Sequence, residues 1–253
     1  MDLKAIEKYL DPYRIIFLSL IILVLINGQL QGFNDAILSS LTALVVSVAV
    51  DVIATYIKTK KIILSYGPAI SGLILALVFS PNLPLYNIAG TAALAQVLKH
   101  IVRYKNNNLF NPASLAMIIV FLQVPAEAWW GNKIPEALIL GLIVSWRIKR
   151  LPASITFMIA YTIFSMLVGS LIAKSQQPIA NYIDLSTGWV FFAFFMLVEP
   201  RTSPRALKAQ IMYASLIALI ATMGFTYSLH SPILLALLIG NAASTFYFSK
   251  LKN

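Results

Sequence analysis

The chain has 253 residues, 59% hydrophobic and only 11% charged, with a mean hydropathy of +0.83. Soluble domains carry roughly one-quarter charged residues, so the composition excludes an ordinary soluble domain and marks an integral membrane protein. With no cysteine the chain by itself can form no disulfide, thiolate nucleophile or iron–sulfur ligand set, and its formal charge of +10 must be explained by topology before nucleic acid is considered.

In chain order, apolar segments are predicted at about 13–30, 35–57, 62–80, 84–99, 109–124, 134–148, 151–173, 186–199, 207–227 and 231–249. Several fall short of the ~20 residues that a straight helix needs to span a bilayer. The first follows a mixed-charge head (Asp2, Lys4, Glu7, Lys8, Asp11) with no small-residue cleavage site, and reads as a span, not a signal peptide. With the N-terminus in the cytoplasm, the inner ends collect Lys4, Lys8 and Arg14, then Lys58, Lys60 and Lys61, then Lys99, Arg103 and Lys105. Arg147, Lys149 and Arg150 follow, then Arg201, Arg205 and Lys208, and last Lys250 and Lys252, leaving only Lys133 and Lys174 outside. Such one-sidedness accounts for the basic excess, needs no nucleic acid, and puts both termini in the cytoplasm of a multi-pass protein of the plasma membrane. Trp129 and Trp130, on an outer loop, fit an aromatic belt. His100 and His230 lie far apart at segment boundaries, His100 as a solvated interfacial residue and His230 closing an outer loop, so no metal site is expected.

The third and eighth segments end alike. "SGLILALVFSPNLP" starts at Ser71 and "TGWVFFAFFMLVEPRTSP" at Thr187: a small hydroxyl, Gly, an apolar run, a polar residue with Pro, and a second Pro. Each is the third of five, and an odd number of spans turns the second group over. Gly- and Pro-interrupted segments at matching positions point to an inverted repeat with a site near the midplane, because freed carbonyls at membrane depth need protein, water or a ligand. The alternative is that each Pro-rich stretch is an interfacial turn. The fifth and tenth segments echo more weakly, opening on Asn111–Pro112 and Ser231–Pro232, where a side chain can cap the free N–H groups and Pro fits the first turn; Asn241 sits within the tenth. The fold expected is all-α and polytopic, about ten transmembrane helices in two inverted five-helix repeats, about 13–124 and 134–249, within one membrane domain covering 1–253.

The motifs "SGLILALVFSPNLP", "LFNPASLAMIIVFLQVPAEAW" and "FFAFFMLVEPRTSPRALKAQIMY", with the Asn-containing last span, resemble in order and spacing the NqrB/RnfD family, the membrane component shared by the Na+-translocating NADH:quinone reductase and the Rnf ferredoxin:NAD+ complex. The likeness covers about residues 60–250. It implies a urea-transporter-like fold, a place in a flavin-based electron path, and a lipid bilayer, other membrane redox subunits or an external flavoprotein as partners. Relatives carry covalent FMN on a threonine in an insertion between the fifth and sixth spans. Here that interval is "QVPAEAWWGNKIPEA", Gln123 to Ala137, without threonine or serine, so no covalent FMN site is recognised. A non-covalent flavin, riboflavin or FMN, is the cofactor that the resemblance implies.

Candidate contacts for it are Asn111, Pro112, Thr187, Gly188, Glu199, Thr202, Ser203 and Asn241; no phosphoester is assigned to Thr187, which opens the eighth span. Each has a structural reading beside it. Asn111 caps a helix or bonds a flavin edge; Thr202 and Ser203 cap a helix near Pro204 or touch ligand; Glu199, where relatives more often have Asp, pairs with Arg201 or Arg205 or serves function. Asp51 shares a helix face with Lys58, seven residues on. The Phe191–Phe195 run covers all faces as lipid and packing surface. Two functions stay open: a membrane electron-transfer protein with a flavin between its repeats, or a non-redox transporter or channel for a small polar solute.

Overall fold

In a computed structural model the described residues are 11–105, 107–124, 127–133, 135–171 and 188–248. The chain is an all-α polytopic membrane protein, and among the described residues four helices are long and apolar enough to cross a bilayer. Two of these form the start: α1 (Pro12–Gln31), begun by Pro12 and by Asp11 accepting from the Tyr13 amide, and α2 (Phe33–Thr59). Shorter helices follow: α3 (Tyr66–Val78), α4 (Leu85–Ile101) and α5 (Pro112–Phe121), with a two-stranded hairpin, β1 (Arg103–Tyr104) and β2 (Asn107–Asn108), between the last two. The second half holds α6 (Glu136–Arg147), α7 (Leu151–Leu171), a brief α8 (Trp189–Phe191), α9 (Leu207–Thr226) and α10 (Pro232–Phe246).

Neighbours recur between halves. α2 packs on α1, α3 and α4, and α4 on α5; likewise α7 packs on α6, on the π turn that extends α8, and on α9, and α9 on α10. Between halves α1 meets α6 and α5 meets α10, so corresponding helices touch.

The third and eighth segments are the buried centre. Pro68 to Val78 in α3 are buried on every side, as are Trp189 to Val198. The Phe run is therefore packing surface and not lipid surface. α8 continues as a π-helical turn, Phe192–Met196, with the Leu197 amide reaching the Phe192 carbonyl at 2.9 Å. The widened turn leaves carbonyls for side chains: Ser154 Oγ of α7 donates to Ala193 O (2.8 Å) and the Tyr213 hydroxyl of α9 to Leu197 O (3.2 Å).

Both ends facing the 127–133 loop are capped by it. Amides of Ala128 and Trp129 donate to Val78 O and that of Gly131 to Leu77 O, while the Trp130 indole donates to Ala76 O at 2.7 Å and Phe79 O at 2.9 Å. From the same loop Asn132 Oδ1 accepts the Phe191 amide at 2.8 Å. Trp129 and Trp130 are thus buried, 9% and 5% exposed, and not the interfacial belt expected: the orphan carbonyls ending α3 draw the Trp130 indole inward, while the Trp129 indole donates to Glu127 Oε1. The two echo glycines serve different ends. Gly72 lets α3 approach α2, since a Cβ there would lie 2.6 Å from Ala43 O; Gly188 holds a left-handed φ of 83° against the Trp129 ring.

Replacing Trp130 by Phe keeps the ring and strands two carbonyls, and is expected to cost about 1–3 kcal/mol; Trp130→Ala, which also opens a cavity, should cost about 3–5 kcal/mol. Unfolding in detergent checks this, with the 68% exposed Trp146→Phe as the neutral control.

Candidate functional site

Asn111 begins α5 as expected of an Asn before Pro: its Oδ1 accepts the Ser114 amide at 3.0 Å. Its own backbone N–H donates to Asn241 Oδ1 in α10 (2.9 Å), Asn241 Nδ2 donates to the Tyr213 hydroxyl (2.9 Å), and that hydroxyl donates to Leu197 O. This buried chain of polar bonds ties the start of α5 to α10, α9 and the end of the π turn. Asn241, fully buried, has both amide ends engaged inside the protein and acts as a tether. Ser231 does not cap α10: it has a φ of 46°, and its hydroxyl donates to Glu127 Oε2 at 3.0 Å across the loops.

Below this tether a cavity of about 30 Å3, room for about two water molecules, lies between the halves. Ser71, Lys99, Asn111 and Pro112 border it from the first half, and Phe195, Glu199 and Arg201 from the second. Lys99 Nζ is 2.7 Å from Asp51 Oδ1, and His100 Nε2 is 2.7 Å from the same oxygen. Asp51 is 4% exposed, and a buried carboxylate of this kind needs such partners. The partner expected, Lys58, instead donates to the His100 carbonyl at 3.0 Å, because α4 packs along α2 and brings its own cation to Asp51. His100 is consequently a half-buried pair member, not a solvated boundary residue. His230 lies on an exposed loop as expected, its Nε2 against Phe121 O.

The turn after the π segment is built on Glu199. Thr202 Oγ1 donates to Glu199 Oε2 (3.2 Å) and Ser203 Oγ to Glu199 O (2.7 Å), so these hydroxyls fold the turn and do not cap α9, which starts later at Leu207. Among the described residues Glu199 forms no ion pair with Arg201 or Arg205. Ser203 Oγ also accepts from Arg150 Nε at 3.1 Å, and Gln210 Nε2 donates to the carbonyls of Lys149 and Arg205, pinning the α6–α7 connection to the turn. Burial, with the neighbouring Arg205 charge adding to it, pulls the Arg150 guanidinium below its ordinary value.

Arg201 borders both the cavity and a wider cleft of about 790 Å3, shared by Thr202, Ser203 and the β1–β2 hairpin. The structure therefore brings together Asn111, Pro112, Glu199, Thr202 and Ser203, with Asn241 one bond behind. Gly188 lies at the far end of the eighth segment, under Trp129, away from the cavity. Thr187 lies outside the described residues. Lys99, Asp51, His100 and Tyr213 join the site without having been singled out for it. Their partners are 16 to 49 residues distant in sequence, beyond any local pattern.

Residues 11–134, just under half of the chain, match the family model described as the NQR2, RnfD, RnfE family, in agreement with the resemblance carried by the first two motifs; the third motif and the Asn-containing last span lie outside the matched stretch. No curated protein matches the chain.

Asp51→Asn should cost about 3–5 kcal/mol by leaving Lys99 buried without its counter-charge, and Asp51→Leu with Lys99→Met should cost much less than the sum of the single changes. A double-mutant cycle on thermal unfolding in detergent measures this; additive costs would show that the pair is not coupled.

Proposed function

We propose that this chain belongs to the NQR2, RnfD, RnfE family as a membrane electron-transfer subunit whose two inverted five-helix repeats hold a non-covalent flavin where they meet. The observation that carries the reading is the cavity faced by Asn111 and Pro112 from one half and Glu199 and Arg201 from the other, which shares Arg201 as a wall with the wider cleft. The cavity itself is too small for a tricyclic ring, so the ring belongs in the cleft. There the fit is reasonable: about 790 Å3 of space, and the Tyr104 and Phe246 rings paired edge-on with centroids 5.1 Å apart. When bound, a flavin supplies reversible one- and two-electron transfer.

The chain's own contribution is positional. Arg201 would place a positive charge between ring and cavity, and the Thr202 hydroxyl holds the Glu199 carboxylate on the cavity wall. Asn111 serves as the fixed floor, its backbone locked by Asn241. In this reading the protein lies in the plasma membrane with both termini and its basic ends in the cytoplasm, beside other membrane redox subunits or an external flavoprotein. The short, hydroxyl-free interval Gln123 to Ala137 gives no place for a covalent flavin and favours the rival class, a non-redox transporter of a small polar solute.

The visible spectrum of protein purified in mild detergent separates the two. Expected is a near-stoichiometric flavin, released by acid and bleached by dithionite, with occupancy reduced several-fold by Glu199→Ala. Protein that stays colourless after reconstitution with riboflavin or FMN would overturn electron transfer and leave the transporter.

A further inference from the structure

The cleft's lining carries three cations, Lys105, Arg201 and Arg205, and no carboxylate among the described residues. All three side chains are exposed, and none takes part in an ion pair among the described residues. Glu199, the acid nearest in sequence, faces the inner cavity instead. Thr202 and Ser203 on the same wall direct their hydroxyl protons to Glu199, which leaves the three cations to meet an anion. Like charges gathered in one concavity repel unless a multivalent anion joins them, and the arginine fork matches phosphate oxygens in pairs. The Lys105 Nζ lies over the neighbouring Tyr104 ring, 5.4 Å from its centroid, and Tyr104 packs edge-on against Phe246, so the same cleft also offers aromatic surface.

We infer that this cleft binds a phosphate-bearing ligand, the phosphate held by Arg201, Arg205 and Lys105: either the phosphomonoester of a flavin, which makes FMN and not riboflavin the fitting form, or the headgroup of an acidic phospholipid. The flavin source rests on the function proposed above; the phosphate chemistry does not.

The test uses the full chain in nanodiscs of neutral phosphatidylcholine, titrated calorimetrically with FMN, riboflavin and inorganic pyrophosphate. FMN should bind about tenfold or more tightly than riboflavin, a difference in line with added charge-assisted hydrogen bonds. Pyrophosphate should compete with FMN, and Arg201→Ala/Arg205→Ala should abolish both the FMN preference and pyrophosphate binding at unchanged melting temperature. Lys105→Ala, on the hairpin, gives a second variant outside the Glu199 turn. Repeating the titration with phosphatidylglycerol in the discs distinguishes the sources: a lipid headgroup as occupant removes the FMN preference, and native mass spectrometry then finds the acidic lipid on wild type but not on the double variant. Pyrophosphate binding lost in the double variant, with neither flavin bound by any form, keeps the phosphate site and removes the flavin reading. Equal FMN and riboflavin affinity, no pyrophosphate binding, and acidic-lipid retention indifferent to the arginines would together overturn the inference.

Discussion

Hydrocarbon offers no water to a peptide group, so each N–H and C=O inside the bilayer must find a partner within the protein, and a helix that stops early exposes several at once. The third and eighth segments are such helices: 13 residues in α3, and three residues followed by a π turn in the eighth. Their free groups organise what surrounds them. The end of α3 takes backbone amides from residues 127–133 and turns the Trp130 indole inward; the start of the eighth segment takes the Asn132 side chain; the π turn recruits Ser154 and Tyr213. Through Tyr213 the demand passes to Asn241 and on to Asn111, so one requirement of the solvent reaches six helical segments: α3, the eighth, α7, α9, α10 and α5.

The parts of this arrangement set by local chemistry could be read from the chain. Apolar runs separated by charges located the ten segments, paired Gly and Pro singled out the two broken ones, and Asn before Pro located the start of α5 and its cap. What escaped were bonds between residues distant in sequence. Asp51 has Lys58 within two turns, but its real partners come from α4, because α2 and α4 run side by side; Trp129 and Trp130 have the composition of an interfacial belt, and only the unsatisfied end of α3 explains the inward turn of the Trp130 indole. Ser231 and the Thr202–Ser203 pair illustrate the same limit, since a hydroxyl near a helix start caps it only if nothing better is in reach. Glu127 and Glu199 were in reach.

The site inherits its asymmetry from these choices. At one end of the bundle the first half supplies an acid, a lysine and a histidine joined on a single oxygen, and the second half supplies a carboxylate held by the Thr202 hydroxyl, with a small cavity between them. In the neighbouring cleft the lining changes from paired charges to cations without a carboxylate partner among the described residues, one of them, Lys105, lying over the Tyr104 ring. A ligand approaching from the cleft thus meets attraction first and a rigid, neutralised interior second.

The 127–133 loop has a mechanical consequence. Its bonds to Ala76, Leu77 and Val78 lie in one half and its bond to Phe191 in the other, so it works as a rivet through both. Swinging one half against the other at that end would shear several hydrogen bonds with no water to replace them. At the cavity the buried link between the halves among the described residues is instead the Asn111 amide donating to Asn241 Oδ1, so the two ends of the seam are fastened by unequal numbers of bonds.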